Sequence, residues 1–171
     1  TRFPDNRLFA ALSERGKAYP GLYKDTRLDV VMSAAENGDG TTGLALSGKG
    51  AVGGSAMSVS LSAHGQPGEP SKAPFSLTFD AKNQDAAVLM ALYGLPALPL
   101  GMVGEATTDI TARGTLAEGV TTAFNLWGPD LRARFDGTVT DTPQGLTAKG
   151  KIALDAADIE PWLMTTGFAV P

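Results

Sequence analysis

Two stretches of the chain echo each other at a spacing that only an additive architecture readily explains. Phe79-Asp80-Ala81, followed by Asp85, Leu89, Gly94 and Leu95, is answered by Leu154-Asp155-Ala156, followed by Asp158, Trp162, Gly167 and Phe168. In each copy a strand-like run ends in an aspartate, a second aspartate opens a short amphipathic segment, and a glycine closes it. A looser copy opens the chain, from Asp5 through Leu8, Phe9 and Leu12 to Gly16. A recurring unit of several strands plus one short helix predicts a modular fold built by addition, with function in a surface and not in one pocket.

Between the echoes, apolar and polar residues alternate with the period of a half-buried strand. Leu28, Val30 and Met32 share one face until the turn cluster Glu36-Asn37-Gly38-Asp39-Gly40. Leu44 to Ser47 resumes the alternation, Gly53-Gly54 breaks it, and Met57, Val59, Leu61 and Ala63 carry a third strand to Gly65. A polar connection over residues 67–74 leads to a fourth strand marked by Phe75, Leu77 and Phe79. The second half repeats the order. A strand is expected from Val103 to Leu116 and another from Val120 to Trp127, with Phe124 and Leu126 on different phases. A third carries Leu131, Ala133, Phe135 and Val139 on one face, and a fourth, over residues 146–155, sets Ala148, Ile152 and Leu154 together. Turns at Gly128-Pro129-Asp130 and Pro143-Gln144-Gly145 separate them.

The expected fold is mainly β with short helices (α+β). Repeated units of about four antiparallel strands plus one short helix would form a curled sheet or groove. Residues 1–24 are expected to form an N-terminal helix and linker, or the end of a preceding repeat, residues 25–100 a first unit with a helix near 85–94, and residues 101–171 a second with a helix near 158–167. Such helices are too short to be stable alone and must pack on the sheet. Val88, Leu89, Leu92 and Tyr93 are the expected apolar face of one, and Ile159, Trp162, Leu163 and Phe168 of the other. Asp85 and Asp158 are expected caps, because an aspartate satisfies unpaired amides at a helix start and favours the positive end of its dipole. The uncharged run over residues 86–104 approaches a membrane span in length. Gly94, Pro96, Pro99 and Gly101 interrupt it and no Lys or Arg flanks it, so it reads as a buried helix and a proline-stiffened loop.

Composition narrows the chemistry. A net charge of -4 without a basic cluster disfavours nucleic acid and anionic membrane as the main partner. No cysteine is present, so disulfides, cysteine-ligated metal and cysteine nucleophiles are excluded. His64 is the single histidine, which leaves no multi-histidine zinc site or conventional triad, and its place at a strand end suggests a solvated edge residue. Gly43 to Gly50 nearly spells a phosphate-binding loop, but Gly50 stands where the magnesium-binding hydroxyl belongs and a strand, not a helix, follows. The dinucleotide-like spacing of Gly48, Gly50 and Gly53 meets the same objection and reads as a bulged or strongly bent strand. Asp155, Asp158 and Glu160 cluster, as do Asp80 and Asp85, and their recurrence points to helix capping in preference to acid–base chemistry or calcium. No catalytic residue, cofactor or metal is expected.

The long alternating strands closed by LTFDAKNQDAAVLMALYGLP and IALDAADIEPWLMTTGFAVP, with LRARFDGTVTDTPQGLTAKGKIAL between, resemble the AsmA-like family of bacterial envelope proteins. The resemblance covers most of the chain from about Leu28 and carries no catalytic signature. It implies a non-catalytic periplasmic segment of a protein anchored in the inner membrane, concerned with outer-membrane assembly or lipid homeostasis. The partners it implies are acyl chains of phospholipid or lipopolysaccharide and other envelope proteins. A twisted sheet with one apolar face offers a physical basis, since moving a 14-carbon chain through water costs on the order of 11 kcal/mol at roughly 0.8 kcal/mol per methylene. Phe75, Leu77, Phe79, Leu131, Phe135, Val139, Ile152 and Leu154 are the candidate lipid-binding residues. The same residues equally suit a closed core. An alternative from a different class is a structural or adhesive β-repeat domain that binds protein or glycan through its polar face.

Overall fold

A computed structural model describes residues 26–93, 104–142 and 145–158. The expected helices at residues 5–15 and from Asp158 onward, the proline-rich loop after Tyr93 and the centre of the turn at Pro143-Gln144 lie outside the described residues.

The chain forms one antiparallel sheet whose strands lie side by side in sequence order. They are β1 (Arg27–Glu36), β2 (Thr42–Val52), β3 (Ser55–Gly65), β4 (Phe75–Asn83), β5 (Ala106–Thr115), β6 (Gly119–Trp127), β7 (Leu131–Thr142) and β8 (Gly145–Ala156). A single 3-10 turn, Pro70–Lys72, interrupts the connection from β3 to β4, and one helix, α1 (Ala86–Leu92), stands between β4 and β5. Each turn follows from its residues. Gly53 and Gly54 both take positive φ, 57° and 78°, which closes β2 onto β3 in two residues. At the first hairpin, Asp39 accepts from the Thr41 hydroxyl at 2.6 Å and its backbone N–H at 3.0 Å, which hold the carboxyl below the ordinary aspartate range.

Directly opposed residues of an antiparallel pair share a face, so the register alone sorts the side chains. One unbroken row crosses the sheet: Val30 opposes Gly48, then Val59, Phe79, Ile110, Phe124, Phe135 and Ile152 follow strand by strand. A flanking row runs from Leu28 through Gly50, Met57, Ala81, Thr108, Leu126 and Ala133 to Leu154. Thus Phe124 and Leu126 fall on the same face, contrary to the expectation of different phases, because residues two apart in a strand point the same way. The opposite face carries Arg27, Asp29, Lys49, Ser58, Ser60, Thr78, Asp80, Asp109, Arg113, Arg134 and Lys151.

Two further expectations change. β4 does not end at Asp80 but continues through Asn83, since an aspartate on the solvent-facing side of a strand interrupts nothing. The glycine-rich part of β2 holds no bulge: its pairing with β1 and β3 runs residue for residue from Thr42 to Val52. Glycine serves close approach there, because a Cβ on Gly50 would fall 2.8 Å from the Leu28 Cα.

A second pair of glycines shows the same constraint. Gly137 and Gly150 oppose each other on the apolar face, and the Phe135 ring reclines over both. A Cβ on Gly137 would meet Phe135 Cζ at 2.6 Å, and one on Gly150 would meet Phe135 Cε2 at 2.7 Å. Phe135 thereby covers backbone that would otherwise lack side chains, the arrangement known as aromatic rescue. Gly137→Ala should therefore destabilise the protein by about 1 to 3 kcal/mol in urea titration. Gly38→Ala, with nothing within 4 Å of its Cβ, should stay within roughly 0.5 kcal/mol of the parent.

Candidate functional site

The apolar face is one candidate surface, and α1 decides how much of it is closed. The helix begins because Asp85 accepts from the Ala87 N–H at 2.9 Å, as the capping argument expects, while the Asp85 N–H donates to Asn83 Oδ1 at 2.8 Å. Asn83 is itself buried and donates to Ser55 Oγ at 2.7 Å, and the Ala86 N–H donates to the Gly104 carbonyl at 2.9 Å. These bonds fix the helix over one end of the sheet.

Two clusters lie beneath it. Leu89 packs with Ala81, Ala86 and Ala106, joined by Met57, Phe79, Leu92 and Tyr93. Met90 packs with Leu126 and Leu131, joined by Phe124, Ala133 and Ala156. Leu89 belongs to the expected helix face, whereas Met90 takes the burial expected of Val88, which is half-buried. A seven-residue helix lying flat on a broad sheet buries two adjacent positions, one toward each side, so the usual single stripe underestimates its contact. Tyr93 closes the end: its ring meets Phe124 edge-to-face at 6.2 Å, and its hydroxyl bonds Thr108. Burial lifts that hydroxyl above the ordinary phenol range, and the Thr108 bond opposes the shift.

Beyond α1 the same face is far less covered. All eight candidate residues, Phe75, Leu77, Phe79, Leu131, Phe135, Val139, Ile152 and Leu154, lie on it. Of these only Leu131 is fully buried, at 3% exposure, while Ile152 reaches 79%. On β1, Leu28, Val30 and Met32 are exposed and were not among the expected residues, although their alternation placed them in the same phase. The eight strands span about 34 Å between their outer members at roughly 4.8 Å per spacing. A continuous apolar strip of that width exceeds a single core beneath one short helix.

The hydrophilic face holds several depressions. One, of about 650 Å³, is lined by Lys49, Ser58, Asp80, Lys82, Asp109 and Trp127 among others. A second, of about 510 Å³, runs over Ser76, Thr78, Thr111, Arg113, Thr121 and Asp136. The row Lys49, Ser58, Asp80, Asp109, Asn125, Arg134, whose first four members line the larger depression, is nearly symmetric: two opposed carboxylates at the centre, a hydrogen-bond donor beside each, a cation at each end. Ser58 Oγ donates to Asp80 at 3.1 Å and Asn125 Nδ2 to Asp109 at 2.6 Å. Asp80 thus belongs to the sheet surface and caps no helix, a correction to its pairing with Asp85; Asp155 likewise faces out of β8 opposite Arg132. His64 is exposed, its Nε2 3.2 Å from Thr41 Oγ1, and ties β3 to the first hairpin. Among the described residues no group of three or more His, Asp or Glu converges as metal ligands, and no helix is long and apolar enough to cross a membrane.

No family model, curated protein or solved structure matches the chain.

Two measurements probe this geometry. Directly opposed like charges destabilise a sheet. Asp80→Asn, which keeps the Ser58 bond, should raise stability by roughly 0.2 to 1 kcal/mol, with the gain shrinking in high salt. Glu105, beside α1, receives Lys82 Nζ at 2.7 Å and Gln84 Nε2 at 2.8 Å, and the Lys82 bond holds its carboxyl below the ordinary glutamate range. A lowered native pKa adds stability at pH values above the unfolded pKa, and that stability is lost as pH falls through the native value. Chemical denaturation across the acid range should show this loss, and Glu105→Gln should flatten it.

Proposed function

We propose that this chain is a non-catalytic, periplasmic part of an AsmA-like envelope protein that handles lipid in outer-membrane assembly or homeostasis, its apolar sheet face holding acyl chains. The observation that carries the reading is the apolar row from Val30 to Ile152, partly covered by α1 over its middle strands and exposed at both outer ones. An acyl chain laid along that row exchanges water for side chains over its length, and at roughly 0.8 kcal/mol per methylene this outweighs any single polar contact. Four strands precede α1 and four follow it, in keeping with two repeat units whose sheets join into one trough. The parent protein would be anchored in the inner membrane.

Native mass spectrometry with organic extraction, after expression in a bacterial periplasm, tests the reading. Phospholipid or lipopolysaccharide should accompany the protein at defined stoichiometry. It should be lost on Phe135→Asp and on Met32→Asp, with circular dichroism unchanged. A folded protein that repeatedly carries no lipid overturns it.

A second reading rests on the depressions of the hydrophilic face, whose serine, threonine and lysine side chains around the exposed Trp127 suit a polar partner. In that case the chain is a structural or adhesive β-repeat domain that binds protein or glycan. Binding would then survive Phe135→Asp and fall with Trp127→Ala.

A further inference from the structure

The tip of the first hairpin places an asparagine side chain next to a backbone nitrogen with nothing to occupy it. Asn37 and Gly38 are both exposed, and a Cβ on Gly38 would meet nothing within 4 Å. The Gly38 N–H takes part in no hydrogen bond among the described residues, whereas its neighbours are committed. The Asn37 N–H donates to the Thr41 carbonyl at 2.8 Å and the Gly40 N–H to the Asn37 carbonyl at 3.1 Å. Elsewhere the fold closes the same chemistry. Asn83 is buried and donates to Ser55 Oγ at 2.7 Å. Asn125 is held in ladders on both sides, donates to Asp109 at 2.6 Å and precedes the buried Leu126. Of the two Asp-Gly pairs, Asp136-Gly137 lies within the ladders of β7, its carboxylate engaged by Arg134. In Asp39-Gly40 the glycine N–H is spent on Asn37, and the Thr41 hydroxyl and N–H keep the Asp39 carboxyl ionised, a form that resists attack.

We infer that Asn37 is a self-modification site: it deamidates through the Gly38 nitrogen, and the product unfastens the first hairpin. The Gly38 nitrogen bonds to the Asn37 side-chain carbonyl carbon, the Cγ–Nδ2 bond breaks, and the Gly38 amide proton leaves with Nδ2 as ammonia. Water then opens the cyclic imide at either carbonyl to give aspartate or isoaspartate, with no oxidant or cofactor. The Asn37 amide donates to Thr41 Oγ1 at 3.0 Å, but an exposed hydrogen bond exchanges with water at small net cost and does not lock it. The same amide nitrogen lies 3.5 Å from His64 Nδ1, and His64 Nε2 lies 3.2 Å from the Thr41 hydroxyl, so Asn37 helps tie the hairpin tip to β3. Deamidation removes that donor and sets a second carboxylate beside Asp39, where like charges repel. Isoaspartate goes further, since the main chain then runs through the former side chain and the carbonyl that receives the Gly40 N–H is displaced. The ladder nearest the change is that of β1 with β2, which begins at Glu36 and Thr42. The site depends on the turn alone and is independent of what either sheet face binds.

The test is to age the folded whole chain at neutral pH in water labelled with heavy oxygen and then digest it with trypsin. The peptide over residues 28–49 should gain the label and the mass of an amide turned to acid, and enzymatic methylation should detect isoaspartate in it. Peptides carrying Asn83 and Asn125 should keep their amides over the same period. Gly38→Ala should slow the reaction several-fold, because a Cβ then obstructs the attacking nitrogen. Hydrogen exchange reads the consequence: amides over residues 34–36 and 42–44 should exchange several-fold faster in the isoaspartate fraction than in fresh protein. Asn37→Asp, which carries the charge with the ordinary main chain, should fall between the two. An amide that persists at Asn37 in the folded protein yet is lost in urea overturns the site, as does a rate indifferent to Gly38→Ala. Unchanged exchange in the isoaspartate fraction overturns the unfastening.

Discussion

Everything in this molecule depends on a register that runs through eight antiparallel strands without an inserted residue. The pleat has a period of two, so a slip of one residue in any ladder would carry that strand's apolar set to the wrong side. The ladders hold because each face enforces them from its own chemistry. On one side aromatic and branched residues oppose one another, Val59 to Phe79, Ile110 to Phe124 and Phe124 to Phe135. On the other, serine, threonine and charged residues would lose hydration if turned inward. The paired glycines under the Phe135 ring belong to the same constraint, since only a residue without Cβ lets the two strands and the ring share that space.

Among the described residues, α1 creates the well-buried clusters on this sheet, and it does so at one end of the strands. Its start is tied to the sheet by Asp85, Asn83 and Ser55, and its contacts divide between Leu89 and Met90. Away from it, burial falls steadily toward β1 and β8. A fold of this kind separates support from surface: the helix end is packed like a small core, while much of the rest of the described apolar face is exposed. The proposal of lipid handling draws on that asymmetry, and the polar face, with its depressions around Trp127, draws the competing reading.

Much of this was legible beforehand because period-two alternation and glycine turns are local signals. Residues from Leu28 to Phe79 and from Leu131 to Leu154 announced their strands and faces without any knowledge of neighbours, whereas over Val120 to Trp127 only the strand was legible, since Phe124 and Leu126 share a face. What misled were residues whose meaning depends on a partner. Asp80 looked like the end of a strand, yet it lies opposite Asp109 with Ser58 beside it. The glycines of β2 looked like a bulge, yet they mark close approach of β1. Met90 was passed over because helical spacing describes one stripe, and a helix on a flat sheet uses two neighbouring positions.

By itself, then, the sequence determined which residues could form strands, where the chain turned and which side chains shared a phase, because these follow from interactions within a few residues. It also excluded disulfides and any chemistry requiring cysteine. The tertiary structure decided that, among the described residues, all eight strands join one sheet in sequence order and that α1 packs over one end of it. Those outcomes rest on hydrogen-bond ladders between residues far apart in the chain, and no local pattern specifies which strand will supply the other half of a ladder.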